Sequence, residues 1–554
     1  MRRKQVLSLF MLVTGIALLV AATTVGVAGS ATKKAGSAEA AKGGTLRINQ
    51  SNADFDYVDP QIQYRTDDLA LVNLTAMNLV GYPEKTGKAG EQLYPIGTTA
   101  FPTVSKDGKT YTFHIRPGMK FNDGQPVTAA AYQRAFERTL SPKMGSPEGV
   151  NIHLQEEIVG AQAFLAGKAS KISGISAKGL TLTVKLVKPN ASFVPQMAMG
   201  WFTAVEPSLP YTSQGVQTYA AAGPYYIASR DPGRTTVLKR NPNYHGPRPA
   251  NPDQIVYTAN VDEDQSLLQV KAGQADIDNA GNTASSSAQL SQQYGVNKSR
   301  FFVGPTSCVL FMTMNTQKPP FDKLALRQAA NWAIDRPAQV RLLGAYAGKR
   351  TDQVLVPGVP GYKPFHAYSI KGADVAKAKQ VGGSAISSAK EVQFLHTTTP
   401  TATQRAQVAE YNLRQAGFQV KDVPTPATTF YQVVGAKDTS YNFTSSGGWC
   451  ADFFDPYDYL NVIFDGRYIQ ANNNVFYSYF NNASFNKQLD QAASLSGSAR
   501  AAAYAKLDQE LMTKYAPVVP WVILTDHFFV SARVHNFIYS SFYGEPYYNA
   551  LTVG

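Results

Sequence analysis

Residues 392–444 alternate strand-like and helix-like stretches in an order that an α/β layer accommodates. Residues 392–395 read as a strand, residues 401–416 as a helix stopped by Gly417, and residues 418–423 as the next strand. Residues 428–435 offer a second crossover helix before a third strand at residues 441–444. If the three strands are parallel, right-handed crossovers bring their carboxyl ends to one edge, where open α/β sheets bind ligands. The loop leaving the third strand, Ser445-Ser446-Gly447-Gly448-Trp449-Cys450-Ala451-Asp452, is the candidate site by position.

The earlier half has a different pattern. After Asp107-Gly108, residues 109–115 alternate Tyr111, Phe113 and Ile115 with Thr112 and His114, which predicts a half-buried strand entered by a turn. Beyond Asn122-Asp123-Gly124, residues 128–140 place Tyr132, Ala135, Phe136 and Leu140 on one helical face, with Thr128 as the cap. Leu180, Leu182, Val184 and Leu186 mark another strand, and Asp231-Pro232-Gly233 predicts a hairpin between residues 225–229 and 235–239.

The N-terminus reads Met1-Arg2-Arg3-Lys4, then an uncharged, mostly apolar run over residues 5–29, then small residues around Ala28-Gly29-Ser30-Ala31. This is the layout of a secretory signal, expected to cover residues 1–31. The run is also long enough to stay as a membrane anchor, although the small-residue site favours cleavage. No cysteine precedes Cys308, so lipid attachment at the end of the signal is not available. Residues 32–42 are nearly all Ala, Gly, Ser and Lys and predict a flexible tether. About 510 residues follow, too many for one core and enough for two or three lobes. They contain no second apolar run of membrane length.

The formal net charge is +13, and +10 remains once the three N-terminal positives are set aside. No stretch of five or more like charges appears, which speaks against nucleic acid and leaves an affinity for anionic envelope surfaces. Two cysteines in an exported chain suggest a disulfide before a metal site. No two glycines stand two apart, so the dinucleotide fingerprint is excluded, and neither a nucleophile elbow nor a paired-histidine zinc motif occurs. The seven histidines lack ligand spacing. No catalytic residue, metal or cofactor is expected, and the chain reads as a binding protein rather than an enzyme.

Several ordered motifs resemble those of the extracytoplasmic solute-binding proteins of the peptide and nickel class, which serve ABC importers. They are Gly44-Thr45-Leu46-Arg47, Asp59-Pro60, Asp107-Gly108-Lys109-Thr110-Tyr111-Thr112-Phe113, Phe121-Asn122-Asp123-Gly124, Gly223-Pro224-Tyr225 and Arg240-Asn241-Pro242-Asn243-Tyr244. Further on come Gly273-Gln274-Ala275-Asp276-Ile277, Asn315-Thr316-Gln317-Lys318-Pro319-Pro320-Phe321, Arg327-Gln328-Ala329 and Ala333-Ile334-Asp335-Arg336. The resemblance implies an α/β, two-lobed periplasmic-binding-protein (Venus flytrap) fold of the large peptide-binding type with an extra subdomain. Lobe I would comprise residues 43–79, 206–307 and 522–554, the extra subdomain residues 80–205, and lobe II residues 308–521. It implies a monomer outside the cytoplasmic membrane that binds a peptide or another small solute and meets the permease subunits of an importer.

Within that class, Gly448-Trp449-Cys450-Ala451-Asp452 looks like the loop of the oligopeptide-binding members whose aspartate holds the α-amino group of the peptide. The resemblance also pairs Cys308 with Cys450 and places Phe311 near the cleft. A carboxylate in a partly desolvated cleft can neutralise an ammonium and accept its hydrogen bonds, which is the role offered to Asp452. The blander alternative has Asp452 capping a helix over residues 455–464. Trp449 would present its face to the ligand or edge the core. Gly447 and Gly448 would let a ligand backbone approach. A receptor for a nickel chelate, an oligosaccharide or another solute is the runner-up. An exported hydrolase and a basic surface adhesion or folding factor are the readings from other classes.

Overall fold

The computed structural model describes residues 42–146, 152–281, 283–445, 447–472, 474–475 and 477–554. The expected signal, and the tether up to residue 41, lie outside the described residues. One twelve-stranded sheet runs through the molecule. Its first five strands in chain order are β1 (Thr45–Gln50), β2 (Tyr225–Asp231), β3 (Thr235–Arg240), β4 (Gln254–Thr258) and β5 (Ile277–Asn279). Then come β6 (Phe301–Met314), β7 (Gly348–Arg350), β8 (Val392–Thr397), β9 (Val420–Thr425), β10 (Phe443–Thr444), β11 (Gly448–Cys450) and β12 (Val518–Val530). The order across the sheet is β9-β8-β10-β6-β12-β5-β1-β4-β3-β2, with β7 on β12 and β11 on β6 off this path.

The architecture is two-lobed, and the long antiparallel pair β6 and β12 runs through the middle of the sheet. At one end Phe301 faces Phe529 beside β5, and at the other Thr313 faces Val518 beside β10. The sequence of β12, Val-Val-Pro-Trp-Val-Ile-Leu-Thr-Asp-His-Phe-Phe-Val, is almost wholly apolar, as a strand covered on both faces requires. Register shifts at Pro305/Val309 and Leu310/Phe311 interrupt the pairing halfway along. On one side a core gathers Leu46, Leu71, Tyr225, Ile277, Phe528 and Leu551 from three separated stretches of chain. On the other side Met312, Leu326, Phe394, Leu413, Phe443 and Trp521 form a second core.

The strand–helix–strand reading of residues 392–444 holds in the structure. β8 runs parallel to both β9 and β10, and the crossover helix Pro400–Ala416 ends at Gly417 in the left-handed region, φ 106°. β9 begins at Val420 rather than residue 418, because Phe418 is buried in the second core before the ladder starts. The predicted hairpin is β2 and β3. A separate four-stranded antiparallel sheet holds Thr110–His114 and Thr181–Lys185, with the helix Ala129–Thr139 packed on it. Thr128 stands at the cap position of that helix, but its side chain makes no capping hydrogen bond, contrary to expectation.

The shared motifs are largely architectural. Arg47 reaches Asp276 at 3.0 Å, and Arg533 reaches the other oxygen of the same carboxylate at 3.0 Å, so three distant segments are joined at one buried acid. Asp59 pairs with Arg138 at 2.6 Å, both side chains wholly buried. Arg336 donates to the carbonyls of Pro520, Thr351 and Asn331 from inside the fold. A buried charge is tolerated only when it is paired or fully hydrogen-bonded, and these contacts supply that.

Candidate functional site

Near the register shifts of the β6–β12 pair, β11 lies antiparallel on the other edge of β6, with Cys308 opposite Cys450, Val309 opposite Trp449 and Leu310 opposite Gly448. Cys308 and Cys450 are joined by a disulfide. The glycines serve this approach. A Cβ on Gly447 would stand 2.8 Å from the Phe311 carbonyl oxygen, and one on Gly448 would stand 2.9 Å from that of Val309. Glycine is thus demanded here by the protein's own strand, a closeness no larger residue permits.

The loop after β11 is fixed from below by Asp458, fully buried in the helix Pro456–Phe464. Its Oδ2 accepts from the Trp449 indole Nε1–H at 2.9 Å and from the Asp452 backbone N–H at 2.9 Å. Ser307 adds a second tie: its Oγ accepts from the Ala451 N–H at 3.3 Å, while its carbonyl accepts from the Tyr459 hydroxyl at 2.5 Å. The backbone of residues 449–452 is therefore held against β6 by a disulfide, a ladder and two side chains.

Asp452 does not cap the helix. That position belongs to Asp455, whose carboxylate accepts from the Tyr457 N–H at 2.9 Å and also pairs with Arg500 at 2.6 Å. Asp452 instead lines a cavity, together with Cys308, Cys450, Thr306, Ser307 and Asp526. Thr66, Leu69, Met199, Gly200, Trp201, Phe542, Tyr543 and Gly544 complete its wall. No Lys, Arg or His lines this cavity among the described residues. Burial pushes the Asp452 carboxyl up to about 7, and no cation offsets it.

The other expected site residues fall elsewhere. Phe311 is buried in the core, 6.5 Å ring to ring from Phe464, and does not line the cavity. Trp449 is half-buried and faces Asp458, while Gly448 lies in the ladder, and neither is part of the wall. Sequence reasoning missed Asp458, Ser307 and Asp526. For Asp526 the signal was an acid inside a thirteen-residue apolar strand. Asp458 carried none, since a helical aspartate becomes a loop support only through tertiary contact.

The sequence model of the bacterial extracellular solute-binding proteins, family 5 Middle, matches residues 85–471. The chain is 24% identical over 470 residues to the oligopeptide-binding protein OppA of Bacillus subtilis (strain 168), covering 82% of each. It is also 24% identical over 488 residues to heme-binding protein A of Haemophilus influenzae (strain ATCC 51907 / DSM 11121 / KW20 / Rd), covering 81% of this chain and 83% of that one. In fold it is similar to clavulanic acid biosynthesis oligopeptide binding protein 2, with a TM-score of 0.85 at 22% identity over 93% of this chain and 96% of the other. Among the described residues no helix is long and apolar enough to cross a membrane.

Proposed function

This chain belongs to the bacterial extracellular solute-binding proteins of family 5, and from that premise we propose that it captures oligopeptides outside the cytoplasmic membrane and delivers them to an ABC importer. The observation that carries this reading is the carboxylate of Asp452, held on a braced loop at the cavity with no cation beside it. A free peptide amine supplies the missing charge and donates hydrogen bonds to it. The names of the relatives support the choice of peptide, and the heme-binding relative marks how far ligands diverge on one scaffold.

In this reading the protein does no covalent chemistry. Lobe I takes residues 43–79, 206–307 and 522–554, lobe II takes residues 308–521, and residues 80–205 form the added subdomain. The junctions near residues 307 and 522 fall inside β6 and β12, where the register shifts supply the natural place to bend. The ligand stabilises the closed form by the difference in its affinity for closed and open states, and the permease subunits recognise the closed monomer. Residues 1–31 direct export.

The test is a two-by-two comparison by calorimetry: wild type and Asp452→Asn, each with a free-amine peptide and its N-acetylated form. Leaving one charge of a desolvated pair without its partner costs about 2–5 kcal/mol, so the substitution weakens free-amine binding at least about thirtyfold. The acetylated peptide binds wild type poorly and is nearly indifferent to the substitution. If the two changes weaken binding additively, the amine is not the partner of Asp452 and another solute takes the site.

A further inference from the structure

Among the described residues, two carboxylates and no base line this cavity. Asp452 comes from the loop behind β11, and Asp526 comes from β12, where that strand runs opposite Gly304 of β6. The Asp526 side chain has no hydrogen bond or ion pair with a described residue, and the protein packed around it pushes its carboxyl up to about 6 with burial as the only cause. Its neighbour in the wall, Gly544, has φ 68°, and a Cβ there would stand 3.2 Å from Asp526 Oδ2. The turn thus passes close to the acid without offering it a donor.

Nothing in the fold asks for an acid at this position. The rest of β12 is apolar but for Thr525 and His527, and leaving a crowded carboxylate unpaired costs stability that an apolar residue would not. Contrast the buried Asp458, which holds Trp449 and the Asp452 backbone. An unpaired acid facing a ligand cavity is explained if the ligand brings the second charge.

Resting on the peptide reading above, we propose that Asp526 is a second cation-binding residue, so that the preferred ligand is a peptide whose first residue is lysine or arginine. The α-amine meets Asp452 and the side-chain cation meets Asp526. Burial disfavours the charged form of both carboxyls, and a ligand with a single cation leaves one of them protonated or uncompensated. A ligand with two neighbouring cations satisfies both, and specificity is that difference.

Three tripeptides decide the matter by calorimetry: Lys-Ala-Ala, the same peptide acetylated on the lysine side chain, and Ala-Ala-Ala. Wild type binds Lys-Ala-Ala at least about tenfold more tightly than either of the others, the equivalent of about 1.4 kcal/mol. Asp526→Asn abolishes that preference and leaves Ala-Ala-Ala within about threefold of its wild-type affinity. Equal binding of the three peptides to wild type overturns the proposal, as does an Asp526→Asn variant that weakens all three alike while keeping wild-type thermal stability. Asp452→Asn separates the two readings. If it weakens Ala-Ala-Ala while no lysine preference exists, the peptide reading stands and this inference alone fails; if none of the peptides binds wild type, both fail.

Discussion

At the scale of single residues, burial raises the carboxyls of several acids. Glu545 is buried, accepts from the Tyr548 hydroxyl at 2.6 Å and lies near Asp526 and Asp67. Burial, with these two like charges added, pushes its carboxyl from 4.5 up to about 8. The sign follows directly: between those values the unfolded chain has lost the proton while the folded protein keeps it, so stability falls as pH rises through the window and levels off above it. Asp278, pushed up to about 6 by burial, adds to the loss in the lower part of the same range. Glu545→Gln carries no proton to lose. Its melting temperature should therefore drop less between about pH 5 and pH 8 than that of wild type, as differential scanning calorimetry can measure. Parallel drops in the two proteins would show that Glu545 does not sense this range.

Among the elements, the short β11 matters most, because three residues paired to β6 cannot hold a register by hydrogen bonds alone. The disulfide closes a loop of 142 positions and ties β11 to the crossing strand, so that Asp452 leaves from a fixed point. Replacing both cysteines by serine should cost about 2–4 kcal/mol in urea unfolding, chiefly by freeing the unfolded chain. Thiol titration of the denatured, unreduced protein should find no free thiol, and reduction should bring wild type to the stability of the double variant. A double variant as stable as oxidised wild type would mean that the ladder and Ser307 suffice.

Across the whole molecule, the parts of the chain that make the cleft are far apart in sequence. Ser192, from the region of the small sheet, donates to Asp455 at 3.1 Å and accepts from Arg500 at 2.6 Å, inside a core that runs from Phe113 and Trp201 to Leu460 and Tyr504. Such a buried polar junction forms only when its three members meet fully, so opening between these regions would break it as a unit. Closure around a ligand is therefore expected to be two-state rather than graded. In small-angle X-ray scattering, a free-amine peptide should lower the radius of gyration of wild type and leave Asp452→Asn unchanged at a concentration where that variant stays unloaded. Peptide that binds wild type by calorimetry without altering its scattering would rule out closure as the signal.

The sequence by itself determined the local order: the parallel strand–helix–strand run from β8 to β10, the hairpin β2–β3, and the loop at the sheet edge that carries Asp452. These follow from hydrophobic period, turn residues and connection handedness, which act over tens of residues. The tertiary structure alone decided what each polar group does. It made Asp455 the helix cap, set Asp458 under the loop, withdrew Phe311 into the core and brought Asp526 into the same cavity as Asp452. The reason is physical. A side chain's role depends on which partner and how little water it meets, and here those partners lie up to hundreds of positions away, brought together by the strands of one large sheet.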